Sequence, residues 1–488
     1  MQHFSSSRRH FLAQSALTTV AAPFVAKTAL GQSNSPNSKL GAMVVGAGDR
    51  GGSHVGTLLN DPRTVVLYIC DPDVNNATNR AARVTEKQGF APKIIRDMRE
   101  ALSDPKLDIV MCAAVNHWHT LCGIWALQAG KHVFLEKPIS STIHEGKAIV
   151  AAAKKYGKVC QVGTQRRSHK AQIEAVKFVQ SGGIGETKLA RGICYKRRKS
   201  IGPLGQYPVP ESVDYNLWCG PCPDDPPTRP IFHYEWHWQR KYGNGEIGNN
   251  GPHFNDMARW FLGLERFPNS VFAYGGRVGY DVEKNDPKYI DAGDTPNTHV
   301  SVYDYGDKTI VMECRGLETP KVLNTGFGTI IHGSEGYMVA EAETCIAYDR
   351  FGKEIKKFTG GGEHFKEFID AVEKNDPALV KANARCGALS AALCQLGEIA
   401  YYVGEENKLP ATEIELILGG NAAQLGIFKD TMGHLKLNGV DANKTKLSIS
   451  SVLTIDPATE RFTNSEAANE LLARNYRGDF VVPEPEKV

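Results

Sequence analysis

A glycine-rich turn near the start of the chain constrains the fold more than any other feature. The apolar run 39–46 leads into residues 46–51, Gly-Ala-Gly-Asp-Arg-Gly, and a helix-like segment follows. Glycines at this spacing permit a tight turn and let backbone N–H groups approach a diphosphate at a helix N-terminus. Twenty residues after the last of these glycines, a second apolar run ends in Asp71. An acid at that distance accepts hydrogen bonds from ribose hydroxyls, so this segment is predicted to bind a dinucleotide.

The cofactor predicted for this segment is NAD. The Asp71 carboxylate would repel the 2′-phosphate of NADP, whereas Arg50 and Asn75 nearby leave NADP open as an alternative. The residues expected at the diphosphate and the ribose are Gly46, Gly48, Asp49, Arg50, Gly51 and Asp71.

The pattern of apolar runs changes near residue 184. Before it, runs at 39–46, 65–70, 108–115, 132–135 and 159–162 alternate with helical segments. That rhythm predicts a doubly wound parallel sheet of the Rossmann type. After it, strand-like runs follow one another at 187–194, 270–278, 298–305, 309–315, 328–332 and 337–340. They predict a second α/β domain with an open, largely antiparallel sheet, interrupted by a loop rich in Pro and Trp at about 202–245.

The net charge belongs to the first 31 residues. They hold Arg8, Arg9 and Lys27 and no acid, which accounts for the formal charge of +3 and leaves residues 32–488 neutral. A neutral body gives no broad field for nucleic acid, and no apolar run reaches the roughly 18 residues of a membrane helix. Two arginines before a short apolar stretch predict a twin-arginine export signal at 1–31, a linker at 32–38 and a periplasmic or otherwise exported protein. The alternative is a disordered basic N-terminus of a cytosolic protein.

Two clusters lie in the predicted loop 202–245. Cys219 and Cys222 have the spacing of a thioredoxin pair, but the prolines after them favour an incidental pair or a local disulfide over redox catalysis. The second cluster consists of His233, Tyr234, Trp236, His237 and Trp238. Aromatic faces and imidazoles suit a saccharide cleft and suit packing between domains equally. No metal site is predicted, because these histidines lack a cysteine or acid pattern.

The fifth predicted strand ends in Glu136-Lys137-Pro138. Ligands of doubly wound sheets lie at the carboxyl ends of the strands, so Lys137 is expected in the crevice beside the nicotinamide. A lysine there can bond a substrate hydroxyl and take its proton once burial lowers the lysine pKa. The alternative is a solvated lysine in a turn.

Several segments together resemble the Gfo/Idh/MocA oxidoreductases, the family of glucose–fructose oxidoreductase and inositol dehydrogenase. They are residues 45–51, Asp71, 116–119 (NHWH), 129–138 (AGKHVFLEKP) and 161–167 (QVGTQRR). The resemblance implies a Rossmann domain at 39–163, a substrate and oligomerisation domain at 164–405 and an extension at 406–488. The leader looks like the exported branch of the family. An open sheet with one uncovered face also suggests a homo-oligomer, a dimer or a tetramer.

The resemblance also implies roles for single residues. Lys137 matches the family's catalytic lysine, and His253 matches its acid/base. Positions beside the cofactor are matched by Asn116, His119, Glu136 and Gln165, together with Lys137. Candidate substrate contacts are Arg166, Trp236, His237 and Asn249. Asn249 stands where many members have Asp, and since an amide cannot exchange protons it is expected only to position the substrate.

The implied function is NAD(P)-dependent oxidation or reduction of a sugar or polyol hydroxyl. Outside the cytoplasm there is no NAD pool, so an exported enzyme would keep its cofactor and recycle it internally, oxidising one carbohydrate and reducing another. The first alternative is an NAD-dependent glycoside hydrolase or lyase that uses transient oxidation at C3. The second alternative is a sugar-binding protein with a vestigial cofactor site.

Overall fold

Unbroken apolar runs form the first sheet, because its parallel strands are covered on both faces. The computed structural model describes residues 39–488, and the leader and linker predicted at 1–38 lie outside the described residues. The strands are β1 (Leu40–Val45), β2 (Thr64–Cys70), β3 (Lys93–Ile95), β4 (Ile109–Cys112), β5 (His132–Leu135) and β6 (Cys160–Val162). They pair in parallel in the order β3-β2-β1-β4-β5-β6.

Helices lie on both faces of this sheet. They are α1 (Asp49–Asn60), α2 (Val74–Gln88), α3 (His119–Gln128) and α4 (Ile143–Tyr156), with 3-10 turns at Met98–Glu100, Asn116–Trp118 and Gln165–Ser168. α1 and α2 pack on one face, and α3 and α4 pack on the other. The strand order reverses between β1 and β4, so a crevice opens at their carboxyl ends. The predicted doubly wound sheet is confirmed, although the sequence pattern misses β3, of which two residues are exposed.

A second, mixed sheet follows. Its strands are β7 (Thr187–Cys194), β8 (Ser270–Gly276), β9 (Thr298–Asp304), β10 (Thr309–Arg315), β11 (Phe327–Gly333), β12 (Gly336–Ala340), β13 (Thr344–Asp349), β14 (Glu354–Thr359), β15 (Lys408–Leu409), β16 (Leu447–Ile449), β17 (Leu453–Asp456) and β18 (Arg461–Phe462). The main order is β14-β13-β12-β11-β7-β10-β9-β8-β16-β15, and β17 pairs with β8 and β18. β7 and β10 are parallel and their other neighbours are antiparallel, which confirms a largely antiparallel sheet.

The helices of this second part cover the sheet unevenly. They are α5 (Lys170–Gln180), α6 (Tyr215–Cys219), α7 (Gly245–Asn249), α8 (Gly251–Leu262), α9 (Tyr280–Lys284), α10 (His364–Glu373), α11 (Ala384–Val403), α12 (Ala411–Leu418), α13 (Ala422–Leu437), α14 (Ala442–Thr445) and α15 (Glu466–Glu470), with 3-10 turns at Glu235–Trp238, Pro377–Leu379 and Pro485–Lys487. α5, α8 and α11 pack on the inner face, and α12 and α13 cover the outer face of β8–β10. Within residues 39–488 no helix has the length and apolarity to cross a membrane.

Helix α11 joins the two halves of the molecule, the first built on the parallel sheet and the second built on the mixed sheet. It is buried around nearly its whole circumference and packs on α4 of the first half and on α8 of the second. A helix that is apolar on all sides is stable only inside a protein, which fits its run of Ala and Leu. α11 therefore contributes side chains to two cores: Ala384, Ala388 and Ala391 to that of the first sheet, and Leu389, Ala392 and Leu393 to that of the second.

The last residues of the chain return to the first half. Phe480, 5% exposed, packs against the rings of Trp118 and Trp125 at centroid distances of 5.4 and 6.4 Å. The Arg99 guanidinium lies over the Phe480 ring at 5.4 Å. Arg474 Nε forms an ion pair with Glu145 of α4 at 3.0 Å, inside the structure. These residues, 474–480, which we call the tail, are therefore anchored on the first half.

We expect Phe480→Ala to lower the free energy of unfolding by about 3 kcal/mol, because it removes a buried ring from between two tryptophans. Urea unfolding followed by tryptophan fluorescence measures the change. The control is Phe351→Ala, which removes a ring that is 86% exposed and should change the free energy by less than about 0.5 kcal/mol. Equal losses in both variants would contradict the packing of the tail.

Candidate active site

The crevice at the carboxyl ends of β1 and β4 forms a cavity of about 510 Å³. Its wall contains residues of the first half, of residues 202–245, which we call the cap, and of helices α7 and α8. Most of the predicted site residues line it: Gly46, Gly48, Asp49, Arg50, Asp71, Asn116, His119, Glu136, Lys137, Gln165, Trp236, His237, Asn249 and His253. Two predicted residues, Gly51 and Arg166, do not line the cavity.

The glycine turn has the shape that a diphosphate requires. Gly46 has φ +84°, and a Cβ there would lie 2.5 Å from the backbone nitrogen of Ala114. At Gly48 a Cβ would meet nothing within 4 Å, so this backbone faces open space. A Cβ on Gly51 would lie 1.9 Å from the Gly46 oxygen. Gly51 therefore allows α1 to pack closely on the turn and does not line the cavity, which corrects its predicted contact with the cofactor.

Arg80 of α2 supports this turn from behind, a contact that the sequence pattern misses. Its Nε donates to the Ala47 oxygen at 2.8 Å, and its Nη2 donates to the Gly48 oxygen at 3.2 Å. The guanidinium thus satisfies two carbonyl groups and brings a positive charge close to the place where a diphosphate binds.

Asp71 is held in place by the turn that it follows. One carboxylate oxygen accepts from the Ala47 N–H at 2.6 Å, and the other accepts from the Asp73 N–H at 2.8 Å. Burial raises the pKa of Asp71 to about 6, although these two hydrogen bonds oppose the rise. Each oxygen keeps a lone pair for a ribose hydroxyl, so the carboxylate fits the ribose of NAD.

Buried amide groups without partners mark the other end of the cavity. Asn116 Nδ2 and Gln165 Oε1 are enclosed and have no hydrogen-bond partner in the protein. A carboxamide or a hydroxyl of a nicotinamide riboside is the kind of group that would satisfy them. The residues present therefore fit NAD along the whole cavity.

His119 lines the cavity, and both of its ring nitrogens lie against backbone oxygens. Nδ1 lies 2.6 Å from the Pro138 oxygen, and Nε2 lies 3.0 Å from the Ala114 oxygen. Both nitrogens are therefore directed at backbone carbonyls, and the cavity meets only the ring. His119 positions the segment that follows Lys137.

Glu136 is a buried carboxylate at the end of β5. Its Oε1 accepts from Arg50 Nε at 2.6 Å and lies 3.0 Å from His54 Nε2. Burial alone would raise the pKa of Glu136, but the hydrogen bond with His54 and the positive charges of Arg50 and Lys137 hold that pKa well below its ordinary value. Glu136 is thus ionised at neutral pH and fixes Arg50 across the cofactor site.

Lys137 projects from the end of β5 into the cavity, as predicted. Its Nζ donates to the backbone oxygen of Asn249 at 2.7 Å and to the side-chain oxygen at 3.3 Å. Burial lowers the pKa of Lys137, the charge of Glu136 opposes this and that of Arg50 adds to it. The amine therefore loses its proton more readily than a lysine in water, as a general base must.

His253 lines the same cavity from the first turn of α8. Burial, with the charges of Lys137 and Arg166, lowers the pKa of His253 well below its ordinary value, so the imidazole is neutral. Its Nδ1 is buried and has no partner in the protein.

Arg166 lies beside the cavity and not on its wall, with its guanidinium 4.9 Å from the Phe254 ring centroid. Its Nη1 is buried without a partner in the protein, and the substrate contact of Arg166 stays a prediction.

The cap has a small core of its own. Its buried apolar residues are Val213, Trp218, Cys219, Cys222, Phe232, Trp236 and Tyr242. Arg229, 1% exposed, lies 5.4, 5.2 and 5.4 Å from the rings of Trp218, Phe232 and Tyr242, and it donates to the Phe232 oxygen at 2.6 Å. A guanidinium enclosed by rings gives this irregular segment a rigid centre.

The cap is attached at both ends of the cofactor site. At the ribose end, His233 Nε2 lies 2.9 Å from Asp73 Oδ2, and the Asp214 N–H donates to the Pro72 oxygen at 2.9 Å. At the nicotinamide end, Trp118 Nε1 donates to the Leu217 oxygen at 3.0 Å. In the NHWH segment, Asn116, Trp118 and His119 line the cavity, and Trp118 also holds the cap.

Cys219 and Cys222 are free thiols in the core of the cap. Cys222 Sγ lies 2.8 Å from the Lys241 oxygen and 2.7 Å from Arg474 Nη1. Cys219 ends α6, whereas a reactive thiol of the thioredoxin kind needs a helix N-terminus. The pair is therefore incidental and forms no disulfide. Among residues 39–488, no three His, Cys, Asp or Glu side chains are grouped to hold a metal ion.

We expect the affinity for NADH to fall about tenfold per pH unit below pH 6, because a protonated Asp71 can no longer accept from both ribose hydroxyls. Above pH 6 the carboxylate is ionised, and the affinity should be constant with respect to this group. Energy transfer from tryptophan to NADH, after removal of copurified nucleotide, measures Kd. Asp71→Asn should bind more weakly at pH 7.5 and lose this dependence, and a dependence that persists in the variant would rule out Asp71 as its source.

Solved structures resemble the chain over most of its length, whereas curated sequences match less than half of it. The structure of levoglucosan dehydrogenase in complex with NADH and levoglucosan superposes with a TM-score of 0.55 at 20% identity, covering 74% of this chain and 97% of that chain. This likeness shows the fold.

Among curated sequences, inositol 2-dehydrogenase of Salmonella typhimurium is 28% identical over 176 residues, 36% of this chain and 50% of its own length. Levoglucosan dehydrogenase of Pseudarthrobacter phenanthrenivorans is 29% identical over 194 residues, 40% of this chain and 42% of its own length. The chain thus matches about half the length of these relatives or less.

Two family models match consecutive parts of the chain. The model described as "Oxidoreductase family, NAD-binding Rossmann fold" matches residues 40–164. The model described as "Oxidoreductase family, C-terminal alpha/beta domain" matches residues 197–434. The two matches cover the first sheet and most strands of the second, and the chain belongs to the Gfo/Idh/MocA oxidoreductase family.

Proposed function

We propose that the protein is an NAD-dependent dehydrogenase of a sugar or polyol hydroxyl. The observation that carries the proposal is the placement of a buried lysine with a lowered pKa, Lys137, beside a neutral imidazole, His253, at the end of the cavity opposite the ribose carboxylate. The relatives whose names contain inositol and levoglucosan support the class of substrate.

The chain's own residues supply the proton chemistry. When bound, NAD supplies the acceptor for the hydride of an alcohol C–H bond. Lys137 Nζ accepts the hydroxyl proton, and the Asn249 oxygens keep Nζ in position. His253 offers a second acceptor at its unpartnered Nδ1. In the reverse direction the same atoms return the proton to the carbonyl oxygen.

We also propose that the cofactor stays bound through successive turnovers. The cap contacts the first half at the ribose end and at the nicotinamide end, and its core contains a caged guanidinium. The tail fastens the cap from outside, because Arg474 reaches both Glu145 of α4 and Cys222 of the cap. Release of the nucleotide then requires the cap to separate from both ends of the cavity.

A second candidate is a glycoside hydrolase or lyase that oxidises C3 transiently. It is favoured by the presence of two potential bases in one cavity, since Lys137 and His253 both line it. Oxidation of a hydroxyl needs one base, whereas elimination after oxidation at C3 needs another for the proton at C2.

We expect Lys137→Ala to lower kcat for carbohydrate oxidation at least about 100-fold, the usual range for loss of a general base. The absorbance of bound NADH after mixing the holoenzyme with inositols, levoglucosan and other sugars measures the reaction. Lys154→Ala, an exposed lysine of α4, is the control and should leave kcat unchanged.

The same panel separates the candidates. Release of aglycone from aryl glycosides without added NAD, lost in Lys137→Ala, would favour the second candidate. A protein that contains no nucleotide after denaturation and shows no affinity for NAD would overturn both.

We expect Arg474→Met to speed the release of NADH roughly tenfold. A tenfold change corresponds to about 1.4 kcal/mol, which is a part of the several kcal/mol lost when one partner of a buried ion pair is removed. Loss of fluorescence from bound NADH after addition of excess NAD measures the rate. Arg385→Met removes an exposed arginine that pairs with Glu460 and is the matched control. The double variant E145Q/R474M should release NADH more slowly than R474M, since no unpaired carboxylate is left. Equal release from R474M and wild type would show that the tail does not retain the cofactor.

A further inference from the structure

The cap contains a strained turn at Tyr234. This residue has φ 63° and ψ −44°, and the Glu235 N–H donates to the His233 oxygen at 2.8 Å. A hydrogen bond between residues on either side of one residue with positive φ is a γ-turn of the rare, strained kind. Such strain in a residue with a side chain persists where the surrounding structure enforces it, and it concentrates at ligand sites.

The turn places the Tyr234 ring at the cavity. Tyr234 is 46% exposed and lines the cavity, whereas Trp236 and Trp238 are 8% and 4% exposed. Its ring centroid lies 4.8 Å from that of His237 and 5.7 Å from that of Trp238, so other rings support it. The result is an aromatic surface with backing on one side and open space on the other.

The same turn fixes the protons of His237. His237 Nδ1 lies 2.5 Å from the Tyr234 oxygen, and a carbonyl can only accept, so Nδ1 carries the hydrogen. Burial lowers the pKa of His237 to about 3, and the charges of Lys137 and Arg198 add to this effect. The neutral ring then keeps a lone pair on Nε2. This nitrogen can accept a hydrogen bond from a hydroxyl group.

Arg198 contacts the same aromatic group through Tyr234 and Trp238. Its Nε and Nη2 bind the Glu246 carboxylate at 2.7 and 3.1 Å, and its guanidinium lies 5.0 Å from the Trp238 ring centroid. Nη1 lies 3.5 Å from the Tyr234 hydroxyl. A guanidinium held in this way braces the aromatic group from which Tyr234 projects.

We propose that Tyr234 and His237 form the carbohydrate subsite and select a cyclic substrate, a pyranose or cyclitol with one C–H face. The proposal rests on the proposed dehydrogenase function and specifies its substrate class. The Tyr234 ring stacks on the apolar face of the sugar ring, and His237 Nε2 accepts from a hydroxyl at its edge. An open-chain polyol has no flat C–H face and gains little from the ring.

Tyr234→Gly tests the stacking without harming the fold, because glycine adopts positive φ at no steric cost. In the holoenzyme we expect KM for a cyclic substrate to rise roughly tenfold, with kcat within about twofold of wild type. KM for an open-chain polyol, Kd for NADH and Tm should not worsen. His237→Phe keeps an aromatic ring but loses the acceptor, and it should raise KM for the cyclic substrate as well.

The matched control is Lys446→Gly, which relieves positive φ at an exposed residue outside the cavity, with φ 56°. It should leave both KM values unchanged. If wild type oxidises a cyclic sugar and Tyr234→Gly has the same KM, the subsite is wrong and the dehydrogenase stands. An equal rise in KM for cyclic and open-chain substrates would overturn the selectivity. If wild type oxidises no compound of either kind, the proposed function fails, and the subsite fails with it.

Discussion

The buried carboxylate of Glu136 is the charge on which the rest of the site depends. It lies at the end of β5, and its side chain is buried. Its charge is balanced by Arg50, by the contact with His54 and by the nearby Lys137. Removing one partner would leave an unbalanced charge in a low-dielectric interior, which is strongly destabilising. A Cβ on Gly163 would lie 2.6 Å from Glu136 Oε2, so a larger residue there would displace the carboxylate from its partners. Backbone and charge thus restrict each other at the end of the strand.

The cap and the tail convert two sheets into a single enclosure. The crevice of a doubly wound sheet is ordinarily open to solvent on one side. Here an irregular segment closes it, and that segment owes its rigidity to a guanidinium among aromatic rings, not to regular secondary structure. α11 packs on both α4 and α8, and so fixes the first half relative to the helix that carries His253.

The sequence is sufficient for the parts of the site that depend on local chain geometry. The glycine turn, Asp71 and the end of β5 are each specified by residues close together in the chain, so their placement could be predicted. Contacts between distant segments could not. Arg80 looks like any exposed arginine of an amphipathic helix, and Arg474 and Glu145 lie far apart in the sequence. His119 carries no sign in the sequence that both of its nitrogens meet carbonyl groups, and Arg166 shows none that it turns toward Phe254.

An amide, not a carboxylate, receives the Lys137 amine, and this affects how the site responds to its own proton transfer. A neutral amine still donates N–H hydrogen bonds, so both contacts with Asn249 can persist after the proton leaves. A carboxylate in that position would favour the charged amine and oppose the loss of its proton. Position and protonation are therefore uncoupled at Lys137, and the amine can act as base and then as acid without moving.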